Sequence, residues 1–216
     1  DRNVPGFTAG HKMEKLGLRT SQIGELVLEQ ALVPEDAVLG QVGGGAAVFA
    51  TAMDWERVLL VAAHLGTMQR LVETSINYAR TRTQFGQQIG KFQAVAHKVA
   101  DMKVALEAGR LLVYQSAWRL ARARSASLDA SIAELFVSES LLKSALETVQ
   151  LHGGYGFMVE FEVERTLRDA VAWVQPVLAA YGDPILHVGP LGAGQAVKLI
   201  NNALFAGQVG LLREAV

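Results

Sequence analysis

The chain has 216 residues, of which 50% are hydrophobic and 19% are charged, with no cysteine and a formal net charge of -1. This composition is typical of a globular protein and excludes disordered, collagen-like and disulfide-stapled chains. Without cysteine there is no thiolate catalysis and no cysteine-ligated zinc or iron–sulfur site. A net charge near zero gives no basis for binding nucleic acid or an anionic membrane. We expect a cytoplasmic protein with neither among its partners.

The first part of the chain is rich in turn-forming residues, as is typical of extended structure. Glycines and prolines interrupt residues 1–44 repeatedly, and the segment 25–33 between them predicts a strand. A proline-free run with apolar periodicity then predicts a long helix over 46–82. We expect an extended segment followed by helices.

Two more helices are predicted further along. Residues 91–124 carry apolar side chains at spacings of three and four, which place one apolar stripe along a helix. A third helix is predicted over 128–151, with Ser127 as its N-cap and the pair Gly153 and Gly154 as its stop. Long helices joined by short loops predict an antiparallel bundle. The five histidines lack metal-ligand spacing, so no metal site is predicted.

Several motifs, in order along the chain, resemble the acyl-CoA dehydrogenase family. Two segments resemble the closing strands of that family's middle β-domain: 15–21 (KLGLRTS) and the region 25–40. Four segments resemble its C-terminal helical bundle: 82–86 (RTQFG), 91–93 (KFQ), 150–156 (QLHGGYG) and 164–170 (ERTLRDA). Within the family, the chain resembles the isovaleryl-CoA dehydrogenase branch.

The resemblance implies a mainly α fold. The bundle would occupy residues 41–170, preceded by a remnant of a β-barrel domain over 1–40. It also implies an FAD-dependent oxidoreductase that oxidises an acyl-CoA, or another carrier thioester, between Cα and Cβ. A carboxylate removes the α-proton, the flavin takes the β-hydride, and the electrons pass to an electron-transfer flavoprotein.

By the same resemblance, the catalytic base is Glu56. Apolar neighbours such as Met53 and Val58 would shield this carboxylate from water and strengthen it as a base. Asp54 and Arg57 would contact the substrate. From spacing alone, an ordinary helix glutamate paired with a cation is the alternative.

The resemblance also implies a flavin site shared between chains, and hence a homodimer or homotetramer. Arg82 offers a planar fork for phosphate, and paired glycines permit a close backbone approach. Tyr78 would line the acyl pocket or, alternatively, pack in the core. The predicted cofactor-binding residues are Arg82, Phe85, Gln93, Gln150, Leu151, His152, Gly153 and Gly154.

The last 46 positions differ in composition, since they hold only four of the 41 charged residues. The segment 192–202 (GAGQAVKLINN) resembles 3-hydroxyisobutyrate dehydrogenases, in which Lys198 would be catalytic and Asn202 would bind substrate. Residues 171–216 are therefore predicted to form a short α/β dehydrogenase-like tail. NAD would bind it only in a complete enzyme, because a Rossmann glycine loop is missing from the segment.

These two resemblances predict a hybrid chain, with its junction between residues 170 and 176. Two alternatives to the flavin enzyme stay open. One is an NAD-dependent β-hydroxyacid dehydrogenase that uses Lys198, and the other is a helical interaction module without catalytic activity.

Overall fold

The computed structural model describes residues 3–122 and 126–179. Four helices dominate this part of the chain, which confirms the mainly helical prediction: α1 (Gly45–Thr81), α2 (Gln93–Leu120), α3 (Ser127–His152) and α4 (Val163–Ala179). Two short hairpins accompany them, formed by β1 (Phe7–Met13) with β2 (Ile23–Leu28) and by β3 (Thr83–Gln84) with β4 (Gln87–Gln88). No helix in these two ranges is long and apolar enough to cross a membrane.

The helices α1, α2 and α3 pack on one another through their apolar stripes. Their fully buried side chains include Met68, Leu106 and Val137, one from each helix. Gly109 lies at the crossing, where a β-carbon would stand 3.1 Å from Val137 Cγ2 and 3.2 Å from Leu65 Cδ2. A glycine at this level of α2 therefore allows the three helices to approach closely.

Helices α2 and α3 run antiparallel, as predicted. The Ser116 hydroxyl donates to the Asp129 carbonyl over 2.9 Å, while Lys98, near the other end of α2, pairs with Glu147 near the other end of α3. The predicted stop of α3 is also confirmed. The helix ends at His152, and Gly153 follows with a φ of 58°, a conformation that glycine adopts at low cost.

The N-cap prediction for α3 is wrong. Ala126 occupies the cap position, and Ser127 is the first helical residue. The Ser127 hydroxyl donates instead to Asp54 Oδ2 over 2.7 Å, joining the start of α3 to α1. A tertiary partner that is remote in sequence thus engages the hydroxyl that was expected to cap the helix.

The N-terminal hairpin differs from the predicted strand in its limits. Strand β2 is shorter than 25–33 and begins earlier, and its partner β1 was not predicted. They pair antiparallel from Phe7 opposite Leu28 to Met13 opposite Ile23, with an irregularity in register between Ala9 and Lys12. Nearly all of the hairpin residues are exposed.

The loop between β1 and β2 contacts α4. Gly17 is buried there, and the Leu18 backbone N–H donates to Asp169 Oδ1 over 2.9 Å. Helix α4 itself was not predicted, and it runs continuously across the predicted domain boundary between residues 170 and 171. Its apolar side chains Val163, Leu167 and Ala170 are buried in the shared core.

Candidate functional site

A cleft of about 510 Å³ lies where the end of α1, the β3–β4 hairpin and the segment after α3 meet. The residues that line it come from stretches far apart in the sequence: Tyr78, Arg82, Gln84, Ile89, Leu151, His152, Gly153, Gly154, Tyr155 and Met158. It combines a cation, aromatic rings and glycine backbone.

Arg82 is held at the C-terminal end of α1 by its backbone. Its N–H donates to the Tyr78 carbonyl over 2.8 Å, and its own carbonyl accepts from Ile89 N–H over 2.9 Å. The guanidinium carbon lies 5.2 Å from the centre of the Tyr155 ring, a cation–π contact. A planar cation is thereby positioned at the cleft.

Stacked rings form one wall of the cleft. Tyr78 stacks on His152 with 4.1 Å between ring centres, and its hydroxyl donates to the His152 carbonyl over 3.4 Å. Phe161 packs edge-on against both rings and stacks with Tyr155. Such a wall offers an apolar, flat surface to a planar ligand.

His152 is buried within this wall. Burial lowers its pKa below the usual value, although the Thr148 carbonyl, which accepts a 2.7 Å hydrogen bond from Nδ1, acts in the opposite direction. At neutral pH the imidazole is therefore uncharged, with its proton on Nδ1 and its Nε2 able to accept.

The backbone turns sharply after His152. At both Gly153 and Gly154 an added β-carbon would meet nothing within 4 Å, so these positions leave open space at the cleft. Exposed glycine backbone beside a guanidinium suits a phosphate or pyrophosphate, and the aromatic wall suits a planar ring. The residues present fit a dinucleotide such as FAD.

Five of the eight predicted cofactor residues line this cleft: Arg82, Leu151, His152, Gly153 and Gly154. The other three lie outside its lining. Phe85 is 91% exposed at the tip of the β3–β4 hairpin, where it contacts Phe92 edge-on, while Gln93 and Gln150 are exposed on α2 and α3. Tyr78, predicted to contact substrate, also lines the cleft.

Sequence reasoning missed four lining residues. Tyr155 and Met158 follow the paired glycines, and Gln84 and Ile89 belong to the hairpin that starts at Arg82. Tyr155 could have been included, because it stands between two glycines of the motif that pointed to this segment.

The predicted base lies elsewhere on α1. Tyr78 follows Glu56 by 22 positions on the same helix, which corresponds to about 33 Å at about 1.5 Å per residue. The expectation that Glu56 is shielded within the chain is wrong for the part that the structure describes, because its side chain is exposed. The helix turns Val58 into the core but leaves Leu59 63% exposed.

The residues beside Glu56 are held by α3. Asp54 is only 5% exposed and accepts the Ser127 hydroxyl. Arg57 Nε lies 3.1 Å from Glu134 Oε2, and its Nη1 lies 3.9 Å from Asp54 Oδ1. These contacts fix the rotation of this turn of α1, from which Glu56 projects outward. Lys198 and Asn202 lie outside the described residues.

The chain is similar to known flavin enzymes and their relatives. It is 41% identical over 170 residues to an acyl-CoA dehydrogenase of Bacillus subtilis, and 39% identical over 170 residues to an L-prolyl-[peptidyl-carrier protein] dehydrogenase of Pseudomonas fluorescens. Each alignment covers 79% of this chain and 45% of the relative. The chain thus spans less than half the length of these relatives.

A solved structure described as the FAD complex of PigA is similar in fold, with a TM-score of 0.76 at 32% identity over 81% of this chain and 45% of that one. The model of the family described as "Acyl-CoA dehydrogenase, C-terminal domain" matches residues 43–173, which contain α1, α2, α3, the cleft and Glu56. The chain therefore belongs to the acyl-CoA dehydrogenase C-terminal domain family.

Proposed function

We propose that the chain works in an FAD-dependent oxidoreductase that removes two hydrogens from an acyl thioester, one from Cα and one from Cβ. The observation that carries the proposal is the cleft that Arg82 lines together with the segment Leu151–Gly154, because the family resemblance implies a flavin contact for each of these residues. The similarity in fold between this chain and the FAD complex of PigA supports FAD as the cofactor.

In this proposal the cleft holds part of the flavin dinucleotide. Arg82 would hold the pyrophosphate, the backbone at Gly153 and Gly154 would permit a close approach of the phosphates, and the stacked rings of Tyr78 and His152 would face the dinucleotide. Phe85, Gln93 and Gln150, which are exposed and lie outside the lining, are further proposed flavin contacts. When bound, the flavin supplies the acceptor for the β-hydride.

Glu56 is the proposed base that takes the α-proton. It projects from a stretch of about three turns of α1, residues 49–59, whose exposed large apolar side chains are Phe49, Trp55 and Leu59. Covering this stripe with substrate and neighbouring protein would remove water from the carboxylate and increase its basicity. Asp54 and Arg57, predicted substrate contacts, would act from the same turn, which Ser127 and Glu134 hold against α3.

The distance along α1 bears on the oligomeric state. Arg82 stands 26 positions after Glu56, about 39 Å away, which is longer than one extended flavin dinucleotide. The cleft and the base of one chain would thus serve two different flavins. This separation supports the predicted homodimer or homotetramer, in which each flavin contacts two chains.

The thioester carrier and the electron acceptor follow from the family likeness. The two relatives named above are an acyl-CoA dehydrogenase and an L-prolyl-[peptidyl-carrier protein] dehydrogenase, so the proposed substrate is an acyl thioester of coenzyme A or of a carrier protein. The proposed acceptor of the electrons is an electron-transfer flavoprotein. The NAD-dependent role of Lys198 and Asn202 rests on the sequence resemblance alone.

The test is anaerobic bleaching of bound flavin by an acyl-CoA. We expect the purified chain, loaded with FAD, to be bleached, whereas Glu56→Gln should keep FAD but lose bleaching. Glu73→Gln changes an exposed glutamate of the same helix and should bleach like the wild type. Failure to take up FAD would favour the non-catalytic module, and bleaching by Glu56→Gln would place the base elsewhere.

A further inference from the structure

Helices α1 and α3 are joined by a polar contact toward each end of the seam that they share. The Ser127 hydroxyl, at the first residue of α3, donates to Asp54 Oδ2 of α1 over 2.7 Å. Toward the C-terminal ends of both helices, the Ser75 hydroxyl donates to Thr148 Oγ1 over 3.2 Å. The two partners are 73 positions apart in each contact, so α1 and α3 run parallel and in register over about six turns.

The seam between these two contacts is mostly apolar and repeats every seven residues. On α1 the repeat consists of the buried residues Asp54, Val61, Met68 and Ser75. On α3 a repeat of the same length consists of the buried residues Ala130, Val137 and Ser144. Sliding one helix by seven positions, which is about 10 Å, would again bring one repeat against the other. The apolar part of the seam therefore discriminates weakly between registers.

The polar contacts discriminate more sharply. Ser75 and Thr148 are fully buried. A hydrogen bond is directional, and a buried hydroxyl that loses its partner is costly. In a displaced register the Ser75 hydroxyl would lose its acceptor, whereas the Thr148 hydroxyl would keep its own 2.8 Å bond to the Ser144 carbonyl. One register is thereby selected, as a buried polar residue selects the register of a coiled coil.

The contact between Ser75 and Thr148 lies one turn before the cleft on both helices. Tyr78 follows Ser75 by three positions, and His152 follows Thr148 by four, which is about one turn in each case. The rings of Tyr78 and His152 then stack with 4.1 Å between their centres. The register that the hydroxyls select therefore also sets the level at which these two rings meet.

The orientation of the His152 ring leaves one nitrogen for a ligand. Nδ1 lies 2.7 Å from the Thr148 carbonyl oxygen, which can only accept, so Nδ1 carries the proton. Tyr78 on one face and Phe161 at an edge restrict rotation of the ring. Nε2 is then the ring atom that can accept a hydrogen bond from a hydroxyl or amino group, and a flavin dinucleotide carries both kinds of donor.

We propose that Ser75 and Thr148 are positioning residues of the cleft and act through the register of α1 against α3. Their hydrogen bond keeps Tyr78 and His152 in the stack, so that His152 Nε2 accepts a hydrogen bond from a hydroxyl or amino group of the dinucleotide. The inference rests on the proposed function, because it takes FAD as the ligand of the cleft. Both hydroxyls are buried in the seam and act on the ligand only through the two rings.

The first measurement is titration of the purified full chain with FAD. Thr148→Val keeps the shape of the side chain but leaves the Ser75 hydroxyl without its acceptor, and we expect FAD binding to weaken at least ~5-fold. Thr148→Ser restores a hydroxyl and should bind within about two-fold of the wild type. Ser116→Ala removes a buried hydroxyl that joins α2 to the opposite end of α3, and it should keep the wild-type affinity.

The second measurement is made without FAD, by nuclear magnetic resonance of the His152 ring. At pH 7 the wild type should show the tautomer with its proton on Nδ1, and its ring protons should carry the upfield shift that stacking on Tyr78 produces. Thr148→Val should lose part of this shift, whereas Thr148→Ser and Ser116→Ala should keep it. Circular dichroism checks that each variant is folded, and Ser75→Ala is a milder change that should act in the same direction as Thr148→Val.

Unchanged FAD affinity in folded Thr148→Val or Ser75→Ala would overturn the inference and leave the proposed function standing. A wild-type His152 with its proton on Nε2 would overturn the acceptor role. A wild type that does not bind FAD would contradict the proposed function and the acceptor role together. In that case the ring signals still decide the register, since an unchanged shift in Thr148→Val would overturn it.

Discussion

His64 makes the folded state of this protein sensitive to acid. The imidazole lies on α1 with its ring 4.4 Å from that of Trp173 on α4, in an edge-on contact. Its Nε2 is buried without a hydrogen-bond partner among the described residues, and burial lowers its pKa from 6.5 to about 4. Folding therefore favours the neutral ring.

The sign and size of the effect follow from proton linkage. Between these two pKa values the unfolded chain binds the proton and the folded chain does not, so the free energy of unfolding falls as the pH falls. The stabilisation is complete above pH 6.5 and is lost progressively down to about pH 4. The total loss is about 3 kcal/mol, of which about 2 kcal/mol is reached at pH 5.

Urea unfolding, followed by helical circular dichroism at pH 7 and pH 5, measures this loss. His64→Phe keeps a ring against Trp173 but cannot be protonated, so its stability should fall between the two pH values by about 2 kcal/mol less than that of the wild type. His97→Phe, at an exposed histidine of α2, should show the wild-type fall. An equal fall in the wild type and in His64→Phe would refute this reasoning.

Two further predictions concern packing and the anchoring of α1. Gly109→Ala should change the free energy of unfolding by less than about 1 kcal/mol, since better helix propensity offsets a tight contact, whereas Gly109→Val should cost about 2 kcal/mol more in urea titrations. Ser127→Ala removes a hydroxyl donor from the buried Asp54 carboxylate and should cost about 2 kcal/mol, while Ser131→Ala, at an exposed position on α3, should be neutral in thermal unfolding. Equal stability of Gly109→Val and Gly109→Ala would contradict the first prediction. Equal melting temperatures of Ser127→Ala and Ser131→Ala would contradict the second.

The helices could be predicted because their burial follows a single period. The stripe that includes Met102, Leu106 and Val113 forms the buried side of α2 in the structure. The hairpin is different. Strands β1 and β2 are exposed on nearly all positions, so their sequences lack the alternation of buried and exposed residues that marks a strand. Helix α4 was missed for another reason, because residues 164–170 were placed by the family resemblance and residues 171–216 by a second resemblance, so that no helix was predicted across their junction.

The candidate site likewise has residues that could be predicted from the sequence and features that could not. Arg82 and His152 are 70 positions apart, and no rule of sequence spacing connects them. The resemblance to a family predicted that both contact the cofactor, and both line the cleft. The exposure of Glu56 could not be predicted from its apolar neighbours in sequence. Such neighbours do not bury a side chain that lies on the outer side of a helix. Likewise, the hydroxyl of Ser127 had two possible partners, and the stronger one, a buried carboxylate, lies 73 positions away.

The central claim is that the cleft between α1 and the end of α3 binds FAD, and titration of the purified chain with FAD, followed by flavin fluorescence or calorimetry, tests it most directly. We expect saturable binding that is at least ~10-fold weaker in Arg82→Ala, because the cleft loses its guanidinium. Arg80→Ala, which removes an exposed arginine two positions earlier, should bind FAD like the wild type. The absence of binding, or equal affinity in the wild type and Arg82→Ala, would contradict the account.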